Sequence, residues 1–273
     1  SACLLDPSSC GFQHSFYWST NNATAGLVIR ANTVRRSNRV NGACSGNPMT
    51  IRGGNGLVFE NNLLDMRDAG GARNPQAPCY AVRFNQNAGD PAVEGCLDCA
   101  IRGNRVIDAD IGIDVVGASN TVVENNAISL NEPPTSDWCT GMNFSNGGTT
   151  GGGPEDQRAN AVRVRTNSIF TQGRQAASSG RGCVGIRIGL TEGTGHQAYS
   201  NAVLLSESVS GSHCYEYHDA SRVAEDNNLC WRSGAGSYAN ASGAAQSLAQ
   251  TRASLGGCPG EGNACASREA DPA

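Results

Sequence analysis

Several short phrases of the chain place polar side chains where they could meet a ligand. Three of them are CTGMNF (139–144), CVGIRI (183–188) and CYEYHD (214–219), which alternate as strands with one buried face do. The side chains expected on the other face include Asn143, Arg187, Glu216 and His218. Glu216 or His218 is a candidate general base, and Arg187 is a candidate partner for a carboxylate. The same residues also suit an ordinary solvated sheet face.

Aligning these phrases with CYAVRF (79–84) and GIDVV (112–116) predicts which residues share a column on the sheet. The expected inward pairs are Val82/Phe84, Ile113/Val115, Met142/Phe144, Ile186/Ile188 and Tyr215/Tyr217. The first outward column is expected to hold Ala81, Asp114, Gly141, Gly185 and Glu216, and the second Arg83, Val116, Asn143, Arg187 and His218. Small residues in the first column leave room for a ligand, but they suit dense packing as well. At a strand spacing of about 4.8 Å, the candidates of the last three phrases lie within reach of one ligand unit.

An asparagine with apolar flanks recurs along the chain. Apolar residues stand three positions before and two positions after it, and the asparagines are Asn32, Asn62, Asn104, Asn126, Asn167, Asn201 and Asn227. In the last copy the flanks are Ala224 and Leu229. The gaps between copies vary, which argues against a leucine-rich repeat with its nearly fixed period. Two β-phrases per coil, with no helical periodicity between them, predict a parallel β-helix.

The composition excludes several functions. There is no lysine, and all 20 basic residues are arginine, so Schiff-base and lysine-base mechanisms are impossible. A net charge of −4 without a basic run predicts no nucleic-acid partner. No apolar stretch approaches the length of a membrane-spanning helix, so no membrane span is expected.

Twelve cysteines indicate an oxidising compartment with several disulfides. The single C-x-x-C, Cys96/Cys99, has no second copy to complete a zinc site. We therefore expect a secreted or cell-surface chain whose signal peptide has been removed. One column is expected to contain Cys79, Cys139, Cys183 and Cys214, with Gly112 in the remaining coil. Cys139–Cys183 and Cys183–Cys214 are both possible disulfides between coils, and a stack of reduced cysteines is the alternative.

A second group of candidates is acidic. Asp68, Asp110 and Glu132 each stand six residues after a repeat asparagine. Stacked carboxylates repel one another unless a cation or an arginine lies between them. The spacing therefore suggests a Ca²⁺ site, since Ca²⁺ takes several oxygen ligands. Alternatively, loops of different length separate these residues, and nearby arginines are simple ion-pair partners.

The repeat and the alternating phrases resemble the right-handed parallel β-helix, or pectate-lyase-like, superfamily over roughly residues 25–235. The resemblance implies an all-β, right-handed parallel β-helix solenoid with about seven recognisable coils. It also implies asparagine-ladder turns, in which the asparagine tolerates a left-handed backbone and its amide bonds to the next coil.

The expected organisation has three parts. Residues 1–24 form an N-terminal cap or an incomplete first coil, residues 25–235 form the β-helix, and residues 236–273 form a small helical or irregular C-terminal cap. Within that cap, SLAQTRASLG (247–256) reads as a short amphipathic helix. Relatives often continue past the Asp-Pro of the tail with another strand, so we expect a piece of a longer protein.

The resemblance leaves two hypotheses for function. Relatives often bind or process acidic polysaccharides in a groove on one parallel sheet, which makes a glycan the expected partner and a polysaccharide lyase or related enzyme the expected activity. Arg187 would then neutralise a uronate. However, the catalytic phrases of polygalacturonases and alginate epimerases are absent. The alternative is a non-catalytic structural or adhesive subunit that self-associates in a surface appendage, filament or larger extracellular complex.

Overall fold

Three stacks of parallel strands run along the chain and enclose a single apolar core. The computed structural model describes residues 16–19, 26–35, 39–40, 43–44, 49–67, 80–85, 95–130, 138–146, 160–171, 182–190, 193–208, 210–255 and 266–270. Each coil contributes one strand to each stack, and each strand pairs in parallel with its counterpart in the next coil. The predicted all-β parallel β-helix is thereby confirmed.

The strands are short, because each coil turns sharply between them. The long sheet contains Phe16–Ser19, Met49–Arg52, Tyr80–Asn85, Ile111–Val116, Thr140–Ser145, Val184–Gly189, His213–Tyr217, Ser237–Ala241 and Ala244–Gln246. The sheet that precedes the asparagines contains Val28–Arg30, Val58–Glu60, Ala100–Arg102, Val122–Glu124, Arg163–Arg165, His196–Tyr199 and Val223–Asp226. The sheet that follows them contains Thr33–Arg35, Leu63–Asp65, Arg105–Ile107, Ala127–Leu130, Ser168–Thr171, Ala202–Ser208, Leu229–Gly234 and Arg268–Ala270.

Two smaller elements complete the sheets. A short parallel stack contains Gly54–Asn55, Cys96–Leu97 and Ala118–Ser119. A two-stranded antiparallel pair joins Arg39–Val40 to Ala43–Cys44.

The repeat asparagines form a continuous hydrogen-bond ladder. The Oδ1 atom of Asn126, for example, accepts from both the backbone N and the Nδ2 of Asn104, each at about 3.0 Å. Its Nδ2 donates to the carbonyl oxygen of Ile101 and to Oδ1 of Asn167, both at 3.0 Å. The pattern repeats from Asn32 to Asn201. The amide role predicted for these residues is therefore correct.

The structure corrects two details of the ladder. The left-handed backbone lies at the residue before each ladder asparagine, for example Asn125 with φ 55°. In the last coil Asn227 holds that left-handed position with φ 55°, and Asn228 takes the ladder position by accepting from the backbone N of Asn201 at 2.9 Å. The expected ladder residue Asn227 was wrong by one, because two asparagines adjoin there.

This shift changes which residues of the last coil face the core. Glu225 and Cys230, rather than Ala224 and Leu229, pair with the core residues Ala198 and Val203. Glu225 is fully buried where the other coils have an apolar side chain. Its Oε1 accepts hydrogen bonds from the Tyr238 hydroxyl and from Oγ of Ser267, the latter at 3.3 Å. Burial raises the pKa of Glu225, and these hydrogen bonds partly oppose the rise.

The C-terminal region closes one end of the helix. Ser237–Ala241 still pairs in parallel with His213–Tyr217, and Ala244–Gln246 then turns back antiparallel. The predicted short helix is Leu248–Ser254, and a capping box between Ser247 and Gln250 fixes its start. The cap boundary at residue 235 and the N-terminal cap over 1–24 stay predictions. In the described ranges, no helix is long and apolar enough to cross a membrane.

Three disulfides lie within the described residues, and they are Cys96–Cys99, Cys139–Cys183 and Cys214–Cys230. Cys139–Cys183 confirms the first of the two predicted alternatives and links adjacent coils across a sequence separation of 44. The alternative Cys183–Cys214 is wrong, because Ser212 is the counterpart of Cys183 and its Oγ accepts from the Cys183 backbone N at 3.2 Å. Cys79 lies outside the described residues.

Candidate active site

The outer face of the long sheet presents one column of polar residues. Strand pairing aligns Arg83, Asp114, Asn143, Arg187, Glu216 and Asn240 in successive coils. This column combines Asp114 and Glu216, predicted for the first outward column, with Arg83, Asn143 and Arg187, predicted for the second. For Glu216 the error in the predicted column arose because the phrase equivalent to CVGIRI is SHCYEY (212–217), two residues earlier than CYEYHD. For Asp114 it arose because Asp114 pairs with Asn143, so Gly112 is the match of Gly141.

The long-sheet strands depart from simple alternation, and this departure caused the misalignment. Two successive residues of each strand face inward, for example Gly185 and Ile186. A Cβ built on Gly185 would lie 2.3 Å from Cγ1 of Val203, and one on Gly141 would lie 2.6 Å from Cγ2 of Ile169. Ala81 is likewise fully buried. These small residues face inward and serve close packing, so they create no space for a ligand on the outer face. The predicted inward pairs are buried as expected.

The polar column is linked by contacts from coil to coil. Arg83 Nε lies 2.9 Å from Asp114 Oδ2, and Asn143 Nδ2 donates to Asp114 Oδ1 at 2.6 Å. Arg187 Nη1 donates to Asn143 Oδ1 at 3.3 Å, and Arg187 Nε donates to Glu216 Oε1 at 2.8 Å. Burial raises the pKa of Asp114, with Arg83 and the Asn143 hydrogen bond opposing the rise. Asn143 thus holds Arg187 from one side while Glu216 holds it from the other.

A groove of ≈ 370 Å³ opens over the C-terminal part of this column. Its lining combines charged, aromatic and small residues, and these are Trp138, Cys139, Thr140, Gly182, Val184, Arg187, Gly211, His213, Glu216 and Asn240. The Arg187 guanidinium lies 6.0 Å from the centre of the Trp138 ring. The side chains of Arg187 and Glu216 remain 26% and 23% exposed, so solvent or a ligand can reach both.

His213 is the groove residue with the chemistry of a general base. It occupies the column next to Glu216, paired with Val184 in one direction and Ser237 in the other. Its Nδ1 lies 2.7 Å from Ser237 Oγ, and its Nε2 lies 3.5 Å from Asn240 Nδ2. Burial lowers the pKa of His213 from its usual 6.5, and the nearby Glu216 carboxylate opposes this. This shift favours the neutral imidazole, which is the form that can accept a proton.

The structure brings together only part of the predicted site. Arg187 and Glu216 line the groove. Asn143 is only 8% exposed and accepts a hydrogen bond from Arg187. His218 is exposed beyond the end of its strand and is not among the groove residues. Sequence reasoning missed His213 because simple alternation with Tyr215 and Tyr217 places residue 213 inside. The extra inward residue, Cys214, instead turns His213 outward, and the register of the phrase SHCYEY was the available signal.

The calcium hypothesis remains a prediction. Of its three residues, Asp68 and Glu132 lie outside the described part of the chain, and Asp110 is buried at 1% exposure. In the described part, no group of three or more His, Cys, Asp or Glu side chains is close enough to hold a metal ion. Asp65 pairs with Arg67 at 2.6 Å, which lowers the pKa of that carboxyl.

The fold and the groove can be compared with known proteins. The fold, as the strand pairing shows, is a parallel β-helix. No protein-family model matches the chain, and no curated protein matches it either. Among solved structures, an alginate lyase from Paenibacillus sp. strain FPU-7 is similar, at 12% identity and a TM-score of 0.42. The match covers 82% of this chain and 80% of the lyase, and at this distance it does not bear on the reaction.

Proposed function

We propose that this β-helix protein acts outside the cell, where its groove binds an acidic polysaccharide and cleaves it by β-elimination. The observation that supports the proposal is the placement of a guanidinium and an imidazole in one groove. Arg187 and His213 both line it, on strands of neighbouring coils. Coil spacing of about 4.8 Å places groups on neighbouring coils within reach of one sugar unit.

Arg187 is suited to neutralise a uronate carboxylate. Its Nε and Nη1 atoms bond to Glu216 and Asn143, which orients the guanidinium. Of its five N–H donors, two on Nη2 and one on Nη1 make no hydrogen bond within the described part of the chain, and these remain for a substrate carboxylate. Neutralising that carboxylate acidifies the proton on the adjacent carbon, because the developing negative charge spreads into the carboxyl group.

His213 is the proposed base. Its Nε2 takes the proton from the carbon next to the carboxylate, and the electrons of that C–H bond form a carbon–carbon double bond. The bond to the glycosidic oxygen breaks, and that oxygen keeps the electron pair and takes a proton from water. The imidazolium then returns its proton to solvent. All atoms are accounted for without a metal, and the product is an unsaturated uronate at the new chain end.

The test is ultraviolet absorbance of purified protein mixed with polygalacturonate, alginate or hyaluronan, since the unsaturated uronate absorbs there. We expect a rising signal that His213→Ala lowers by roughly 10²–10⁴-fold. His218→Ala is the matched control, because His218 is exposed and lies outside the groove. A flat trace with all three polymers would refute the proposal and favour the structural subunit, whereas equal loss in both histidine variants would refute the role of His213 as the base.

A pH profile adds an independent check on the base. Since burial lowers the pKa of His213 below 6.5, kcat/KM should hold as pH falls through 6.5 and decline only at lower pH. A decline that begins well above pH 6.5 would exclude His213 as the base.

A further inference from the structure

We infer that Ser237 is a positioning residue that fixes the tautomer of His213 and leaves Nε2 as the basic nitrogen. The consequence for catalysis rests on the proposed function, whereas the tautomer itself follows from the geometry.

The hydrogen count at Ser237 decides the tautomer. Its Oγ lies 2.8 Å from the carbonyl oxygen of Ala239 and 2.7 Å from Nδ1 of His213. A serine hydroxyl has one hydrogen, and a carbonyl oxygen can only accept. The hydroxyl therefore donates to Ala239 and must accept from His213, so Nδ1 carries the imidazole hydrogen.

The other side of the ring agrees with this assignment. Nε2 lies 3.5 Å from Nδ2 of Asn240, which is a donor. At 3.5 Å this contact is at the outer limit of a hydrogen bond, so the Ser237 geometry carries the assignment. Both His213 and Asn240 line the groove, and His213 is 8% exposed.

The fold holds Ser237 in this position. Ser237 pairs with His213 in the long sheet, and its backbone N donates to the carbonyl oxygen of Ser212 at 3.0 Å. Ser237 is not among the residues that line the groove, so it acts on His213 and not on a substrate. When the imidazole becomes charged, the same hydroxyl also accepts from the imidazolium and supports the charge.

Nitrogen-15 NMR of histidine-labelled protein tests the tautomer without any substrate. The chain has four histidines, so the His213→Gln spectrum assigns the signal. Above the pKa of His213, we expect a protonated Nδ1 and an unprotonated Nε2. Ser237→Ala should shift both signals towards a mixture of tautomers, while Ser237→Thr, which keeps a hydroxyl, should preserve the wild-type pattern. A protonated Nε2 in the wild type, or an unchanged pattern in Ser237→Ala, would overturn the inference.

Kinetics on any polysaccharide that is cleaved provides the second measurement. We expect Ser237→Ala to lower kcat by roughly 10–100-fold with KM nearly unchanged, and Ser237→Thr to restore most of it. A higher KM with unchanged kcat in Ser237→Ala would contradict a positioning role. If no polymer is cleaved but the tautomer is as inferred, only the proposed function fails. If cleavage occurs with the other tautomer, only the inference fails.

Discussion

The two sides of each coil use polar side chains in opposite ways. On the ladder side, successive coils from Asn32 to Asn228 supply an asparagine, and each of these asparagines bonds to the asparagine of the neighbouring coil. On the groove side, successive coils supply arginine, aspartate, asparagine, arginine, glutamate and asparagine. These amides are hydrogen-bonded to one another and, apart from Asn32 at the exposed end, are buried, so they stabilise the stack. A varied column makes each coil chemically different and leaves Arg187 and Glu216 partly exposed to a ligand.

Removing the disulfide on the groove side should have the largest effect on stability. That side has no amide ladder, and Cys139–Cys183 links its coils over a separation of 44 residues. The chain-entropy relation gives about 4 kcal/mol for a loop of that length. Urea unfolding of the Cys139→Ser/Cys183→Ser protein measures the loss. Cys96→Ser/Cys99→Ser is the control, because its three-residue separation gives only about 1.5 kcal/mol. Equal losses would contradict the loop-length argument.

Breaking the ladder in its middle should cost about 3 kcal/mol, because Asn126→Ala leaves several buried groups without partners at roughly 1–3 kcal/mol each. These groups are the Asn104 amide, the Ile101 carbonyl and Oδ1 of Asn167. Asn32→Ala, at the exposed end of the ladder, should lose far less. Urea unfolding gives the free energy of unfolding of both variants. Equal losses would show that the ladder does not stabilise the fold cooperatively.

The buried carboxyl of Glu225 should make stability depend on pH. Since burial raises its pKa above 4.5, folded Glu225 stays protonated after the unfolded chain has lost that proton. Its contribution is therefore present below pH 4.5 and is lost as pH rises through the raised value, by at most about 1.4 kcal/mol per pH unit. Unfolding free energies over this range should decline in the wild type and stay flat in Glu225→Gln. Glu124→Gln, a change at a surface ion pair, should keep the wild-type decline.

The smallest expected change in stability is at the groove. Arg187→Gln removes an ion pair with Glu216 that is partly exposed, and such pairs contribute about 1 kcal/mol or less. The same change should abolish polysaccharide cleavage if Arg187 neutralises the substrate. If Arg187→Gln instead lost much of its stability and kept its activity, the polar column of the groove would be structural, as the asparagine ladder is.

Much of the fold was predictable because its signals are local and repeated. An apolar residue three positions before an asparagine and another two positions after it identified the coils, and alternation identified the inward pairs of the long sheet. The predictions failed at positions where a shift of one residue changed how a coil aligns with its neighbour. Asn227 and Asn228 adjoin, and only the backbone shows that the second belongs to the ladder.

The site was predictable only in part for the same reason. Arg187, Glu216 and Asn143 were found because they stand between clearly apolar neighbours. His213 was missed, and His218 was favoured, because each long-sheet strand places two successive residues inward. Strict alternation allows only every second residue to face inward. The extra inward residue is a glycine in three coils and a cysteine in another, and neither type indicates which way it faces.

By itself, the sequence determined the class of fold, the asparagine ladder and the absence of lysine chemistry, because each depends on residue type and short-range spacing. Tertiary structure decided which polar residues meet. The contact between His213 and Ser237 spans 24 residues, and that between Arg187 and Glu216 spans 29. Such contacts depend on the register between coils, and the register is set by packing of the small inward residues against the opposite sheet.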